Sequence, residues 1–80
     1  MPNLSSLRRS PQLLAIGEAI RLRREVLGLS QEEVALRSEV DRSYLGRIER
    51  GDNNAAVLTL VKIAGALNLA LSELLQSANL

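Results

Sequence analysis

Two helix-start signals and one helix-stop signal fall between Ser30 and Gly51, and they constrain the fold more than any other stretch of the chain. Ser30 is followed three residues on by Glu33, the pairing of a capping box, in which hydroxyl and carboxylate each satisfy a free backbone N–H. Val34 and Ala35 give the helix that follows an apolar side, and Arg37-Ser38-Glu39 leads out of it through a short polar turn. Asp41 can cap a second helix running from Arg42 to Arg50, which stops at Gly51, where a left-handed residue is easiest to place. The prediction is two short helices joined by a tight turn.

The second of these helices carries the functional argument. At about 100° per residue, Arg42, Ser43, Gly46, Arg47 and Arg50 share one broad arc, while Leu45 and Ile48 lie opposite with Glu49 beside them. The outer arc holds three guanidinium groups, a hydroxyl and a glycine that leaves room for close approach, and no carboxylate. Arginine makes forked hydrogen bonds to guanine edges and to phosphates. A solvated charged face is the ordinary use of such a helix side. The lack of acid here, directly after a capped helix and turn, favours DNA.

Gly28-Leu29-Ser30-Gln31-Glu32-Glu33-Val34-Ala35, with Val40, Ser43-Tyr44-Leu45 and Ile48-Glu49-Arg50-Gly51, resembles the Cro and phage-repressor (XRE-type) helix-turn-helix family. The similarity continues through Leu60, Ile63-Ala64, Leu67 and Ser72-Glu73-Leu74-Leu75, covering roughly residues 16 to 75. Within that family, Arg42-Ser43-Tyr44-Leu45 and Ile48-Glu49-Arg50-Gly51-Asp52 with Asn54 are most similar to the small controller proteins of restriction–modification systems. The resemblance implies an all-α, five-helix domain and a sequence-specific DNA-binding transcriptional regulator, a homodimer on a two-fold-related operator. Arg42, Ser43 and Arg47 are then the base readers. Gln31 would grip a phosphate and brace the recognition helix, and Tyr44, Arg50, Asn53 and Asn54 would touch the DNA backbone. The resemblance also implies that Arg24 and Glu49 pair, although composition alone would leave Arg24 on the surface. Three departures concern local stability: Glu39 stands where the family has a turn glycine, Ala55-Ala56 replace a proline and a capping hydroxyl, and Ala70 replaces another hydroxyl. Glu39 is therefore expected at positive φ, and Asn54 is expected to cap the fourth helix.

Eighty residues allow one small domain, here an arm over residues 1–10 and a helix-turn-helix domain with a C-terminal dimerisation region over 11–80. There is no Phe or Trp, so the core must come from Leu, Ile, Val and Ala, which suits close helix packing. No Cys or His is present, so thiolate or imidazole metal sites and a disulfide framework are excluded. No paired carboxylates sit at a recognisable catalytic spacing, so the expectation is no enzyme, no cofactor and no small-molecule ligand. No apolar run approaches the length of a membrane span, and a soluble cytoplasmic protein is expected. Net charge is only +1, but the sole basic residue after Arg50 is Lys62, so the positive charge is concentrated ahead of it.

The arm holds Pro2, Asn3, Leu4, Leu7 and the pair Arg8-Arg9. It reads as a frayed terminus, as a short turn packed through Leu4 and Leu7, or as a basic arm reaching DNA through Arg8 and Arg9. Ser10-Pro11 opens the first helix, whose buried stripe is Leu13, Ile16, Ile20 and Leu27, ending at Gly28. The fourth helix is expected from Ala56 to Leu67, stopping at Asn68 in the left-handed region, and a last short helix takes in Leu71, Leu74 and Leu75. From Ala55 onward the only charges are Lys62 and Glu73. Leu58, Val61, Leu69, Ala70 and Leu80 remain as an apolar surplus, either extra core or, as four of them are read here (Leu58, Val61, Leu69, Leu80), a dimer interface. A protein-interaction module such as an antitoxin or anti-activator is the rival to DNA binding. Loss of binding with rising salt, together with sequence preference, separates the two.

Overall fold

The described residues form five helices, the first three opened by the capping signals already named. The computed structural model describes residues 8–80; Leu4, Leu7 and the rest of residues 1–7 lie outside the described residues. The elements are α1 (Pro11–Val26), α2 (Gln31–Ser38), α3 (Arg42–Glu49), α4 (Val57–Ala66) and α5 (Leu71–Ser77), with no strand among the described residues. The all-α, five-helix expectation holds. Among the described residues no single helix is long and apolar enough to cross a membrane, and α4 and α5 meet at a bend of 89°.

The start signals work as the sequence indicates in the first three helices. Ser10 Oγ accepts from the Leu13 N–H ahead of Pro11. Ser30 Oγ accepts from the Glu33 N–H at 3.0 Å, and the Ser30 N–H donates to Glu33 Oε1 at 2.8 Å, completing the box. That bond from the Ser30 backbone holds the Glu33 carboxyl below its ordinary pKa. Asp41 Oδ2 accepts from the N–H groups of Ser43 and Tyr44, uniting the turn and the start of α3.

Every helix closes in one way. A residue in the left-handed region (Gly28, Glu39, Gly51, Asn68 or Asn79) turns the chain, and the N–H of the residue after it reaches five positions back. Glu39 takes φ 59° and ψ 38°, as its place in the turn requires of a non-glycine residue.

The last two helices depart from expectation. Ala56 is the residue flanking α4, with no side-chain cap, and α4 starts at Val57; Asn54 does not serve as the cap. At α5, Ala70 has no hydroxyl to offer, but its N–H donates to Glu73 Oε1 at 2.9 Å, which is half of a capping box.

Ile20, Val34, Leu45, Ile63, Leu67 and Leu74 are the large side chains fully withdrawn from solvent, contributed by α1 to α5 and the residue after α4. α2 packs on α4 and on α3, α1 packs on α3 and α5, and α4 packs on α5. The stripe predicted for α1 needs correction. Leu13, Ile16 and Leu27 are only half-buried, and the residues buried with Ile20 are Gly17 and Ala19. Small residues replace large ones there because α3 comes close. A Cβ at Gly17 would overlap the carbonyl oxygens of Ile48 and Glu49.

Candidate nucleic-acid interface

The inner face of α3 sets its position. Leu45 and Ile48 enter the core, and Glu49 follows them with its side chain only 3% exposed. A carboxylate buried to that degree needs partners. Arg24 of α1 supplies a forked pair, Nε to Oε2 at 2.8 Å and Nη2 to Oε1 at 3.0 Å, while its Nη1 donates to the Leu29 carbonyl. The carboxylate bonds raise the Arg24 pKa further above its ordinary value. Gln31, at the first position of α2, donates from Nε2 to the same Glu49 Oε1 at 2.9 Å. One carboxylate thus ties three helices together, and no buried side-chain polar atom among the described residues lacks a partner. Such a pair does little for net stability relative to apolar packing, but it enforces one geometry.

Arg42, Ser43, Arg47 and Arg50 are exposed along the outer arc of α3. Each arginine leans on a neighbour. Arg42 Nη1 donates to Gln31 Oε1 at 3.4 Å, Arg47 lies 5.7 Å over the ring of the half-buried Tyr44, and Arg50 Nε donates to Asp52 Oδ2 at 3.2 Å. These contacts are loose enough to yield to a ligand, and they hold the long side chains near α3 before one arrives.

Two sequence expectations change here. Gly46 is buried, not open: a Cβ on it would sit 3.4 Å from Arg50 Nη1 and 3.7 Å from Gln31 Oε1. Those are ordinary van der Waals distances, so the Gln31 and Arg50 side chains cover this position without requiring a glycine there. The outer arc is also not free of carboxylate. The turn at Gly51 folds Asp52 back beside Arg50, and Arg8 and Arg9 join it from the other end of the described chain. The hydrogen bond from Arg50, then that from Arg9 and the charges of Arg8 and Arg9, hold the Asp52 carboxyl below its ordinary pKa. Sequence distance hid this cluster. Gly51 itself is locked in place, with φ 77° and a position where a Cβ would fall 2.8 Å from Leu14 Cδ2.

Asn53 is half-buried and Asn54 exposed, both in the loop that follows. On the far side, Leu58, Val61 and Leu80 are exposed, whereas Leu69 is half-buried and packed on the core. Val57, which the sequence reading passed over, is exposed one position before Leu58 and four before Val61, on the same side of α4.

Comparison with known proteins agrees with this geometry. A family model described as helix-turn-helix matches residues 20–74. The control protein C.MunI of a Mycoplasma species is 43% identical over 54 residues, covering 68% of this chain and 73% of that protein. An uncharacterized HTH-type transcriptional regulator of Sinorhizobium fredii, y4dJ, is 50% identical over 54 residues, covering 68% of this chain and 69% of the relative. The crystal structure of the restriction-modification controller protein C.AhdI of Aeromonas hydrophila superposes with a TM-score of 0.76 at 42% identity, over 78% of this chain and 94% of that one. The clp gene regulator ClgR of Corynebacterium glutamicum gives 0.82 at 29% identity, over 85% and 72%.

Proposed function

The chain belongs to the helix-turn-helix family, and from that premise we propose that it is a sequence-specific DNA-binding transcriptional regulator, a homodimer on a two-fold-related operator. The observation that carries the reading is α3 itself: its inner arc is buried and bonded to α1 and α2, while Arg42, Ser43 and Arg47 stand exposed on the outer arc. Arg42, Ser43 and Arg47 read base edges from the major groove, where a recognition helix presents its N-terminal residues. Gln31, Tyr44, Arg50, Asn53 and Asn54 contact the DNA backbone, which sets register without reading sequence. Gln31 keeps one amide N–H beyond the bond to Glu49, so it can brace α3 and reach a phosphate together.

The second copy docks through Leu58, Val61, Leu69 and Leu80; Leu58, Val61 and Leu80 are exposed, as is Val57, and Leu69 is partly buried against the core. One small domain offers few contacts, and joining two raises affinity without new chemistry. Similarity to a protein named as a control protein and to one named as a restriction–modification controller supports a controller-type regulator, and action on its own expression is part of the proposal. The function is binding, with no cofactor and no small-molecule ligand required. Selection of bound fragments from random DNA, followed by sequencing, tests it: recovery of a palindromic site with salt-sensitive affinity is expected. Recovery of no common sequence sinks the reading.

A further inference from the structure

We propose that Asp52 is a positioning residue for DNA binding, gathering Arg8, Arg9 and Arg50 into one phosphate-binding cluster at the C-terminal end of α3. The inference rests on the DNA reading above and goes beyond it, because Asp52 carries the wrong charge to touch a phosphate itself.

The geometry is specific. Asp52 Oδ2 accepts from Arg50 Nε at 3.2 Å, and Oδ1 lies 3.4 Å from Arg9 Nη1 and 3.9 Å from Arg8 Nη2. The root of the arm is fixed independently of that carboxylate. The Arg9 N–H donates to the Gly51 carbonyl at 2.6 Å, Arg9 Nη1 donates to the Arg50 carbonyl at 3.1 Å, and Arg9 itself turns through φ 58°. Two arginines distant in sequence are therefore held against the end of the recognition helix.

Three guanidiniums around one carboxylate leave a net charge of about +2, and each guanidinium has five N–H donors of which the carboxylate engages few. The arginine side chains remain 53%, 57% and 61% exposed, against 20% for Asp52, so donors face outward and the carboxylate sits behind them. Without it, three like charges at close quarters repel and spread, and each long side chain must be ordered anew when DNA binds. An aspartate carboxyl is ionised at neutral pH, and the depression of the Asp52 pKa by its arginine partners extends that state to lower pH. Arg42 and Arg50 are separated by about 12 Å at 1.5 Å per residue. With the start of α3 at the bases, its other end is carried away from them toward the backbone, where such a cluster meets a phosphate.

The test uses the site selected by the wild-type protein, a random duplex of equal length, and the folded Asp52→Ala variant checked by circular dichroism. Affinity for the selected site should fall about five- to tenfold, while affinity for random DNA holds or rises two- to threefold, because loosely held positive charge still attracts any duplex. In a protein already carrying Arg8→Ala, Arg9→Ala and Arg50→Ala, the same Asp52 substitution should no longer weaken the selected complex, since residues that act together show a coupling energy. Tighter binding to both duplexes would make Asp52 a simple repulsive charge and overturn the proposal. No change on either duplex would place the cluster off the DNA and overturn it too. If the wild-type protein selects no site, the DNA reading fails first and this inference falls with it.

Discussion

The side of the molecule built on α1, α2 and α3 is held by directed polar bonds, and the side built on α4 and α5 is held almost entirely by apolar contact. α2 and α3 both begin with side-chain caps, whereas α4 and α5 begin at alanines that have none. Glu49 joins three helices through hydrogen bonds of 2.8 to 3.0 Å. Val57, Leu58 and Val61 meet no comparable partner among the described residues and lie exposed. Directed bonds specify orientation, which a helix reading base edges needs. Apolar contact specifies proximity and adapts to whatever covers it. The contrast suits the two tasks proposed above, presenting a helix at a fixed angle on one side and joining a second copy on the other.

Glu49→Ala attacks the polar side directly and should have the largest effect. It leaves the Arg24 guanidinium, only 14% exposed, without its counter-charge, and it frees Gln31 as well. A loss of roughly 3–5 kcal/mol is expected from denaturant unfolding. A loss below about 1 kcal/mol would mean that apolar packing alone seats α3, and the contrast would collapse.

Leu58→Glu tests the other side. Leu58 is 74% exposed, so the isolated fold should change by no more than about 0.5 kcal/mol. Sedimentation should nevertheless show a monomer, and operator affinity should drop at least about a hundredfold as the second domain is lost. Leu69 is a poorer site for this test, because half of its surface is already packed on the core. Wild-type protein that stays monomeric well above the concentration saturating its site would refute the interface.

Arg47→Ala is the next in size. It should cost about 1–3 kcal/mol on the selected site and relax preference at one or two base pairs. Equal weakening on selected and random DNA would move Arg47, now stacked on Tyr44, to the phosphate contacts.

The missing caps offer a gain. Ala56 has the extended backbone of a cap residue, φ −64° and ψ 152°. Ala56→Ser should therefore raise thermal stability by about 1 kcal/mol. Ala70→Ser should do less, because Glu73 already satisfies one N–H there. Equal gains at both would show that the Glu73 bond contributes little.

Glu39→Gly should change stability least. Relief of the left-handed strain at φ 59° opposes the extra freedom glycine gives the unfolded chain, leaving a small gain or nearly no change. A clear loss would reveal a contact made by the Glu39 side chain.

Much of this was legible in one dimension because the signals are local. Caps at Ser10, Ser30 and Asp41, stops at Gly28, Gly51 and Asn68, and apolar spacing within a turn or two act over a few residues, and the helices follow them. The arc of Arg42, Ser43 and Arg47 was equally legible, since a helical wheel is itself a local construction. The pairing of Arg24 with Glu49 came only through family resemblance, because nothing near either residue marks the other.

What the sequence by itself determined, then, is the set of helices and the large apolar residues that α2 and α3 turn inward, because hydrogen bonding and solvation within a few residues decide both. Tertiary structure alone decided where small residues are required or covered. Gly17 lies under the carbonyls of Ile48 and Glu49, where a Cβ does not fit, and Gly46 is buried beside the Gln31 and Arg50 side chains, although the wheel placed it on the open arc. It also decided the charge at the end of α3. Arg8 and Arg9 reach Asp52 across more than forty residues because the turn at Gly51 brings its carbonyl within hydrogen-bonding distance of Arg9. Contacts of that range depend on how helices are set against one another, and that information is spread over the whole core.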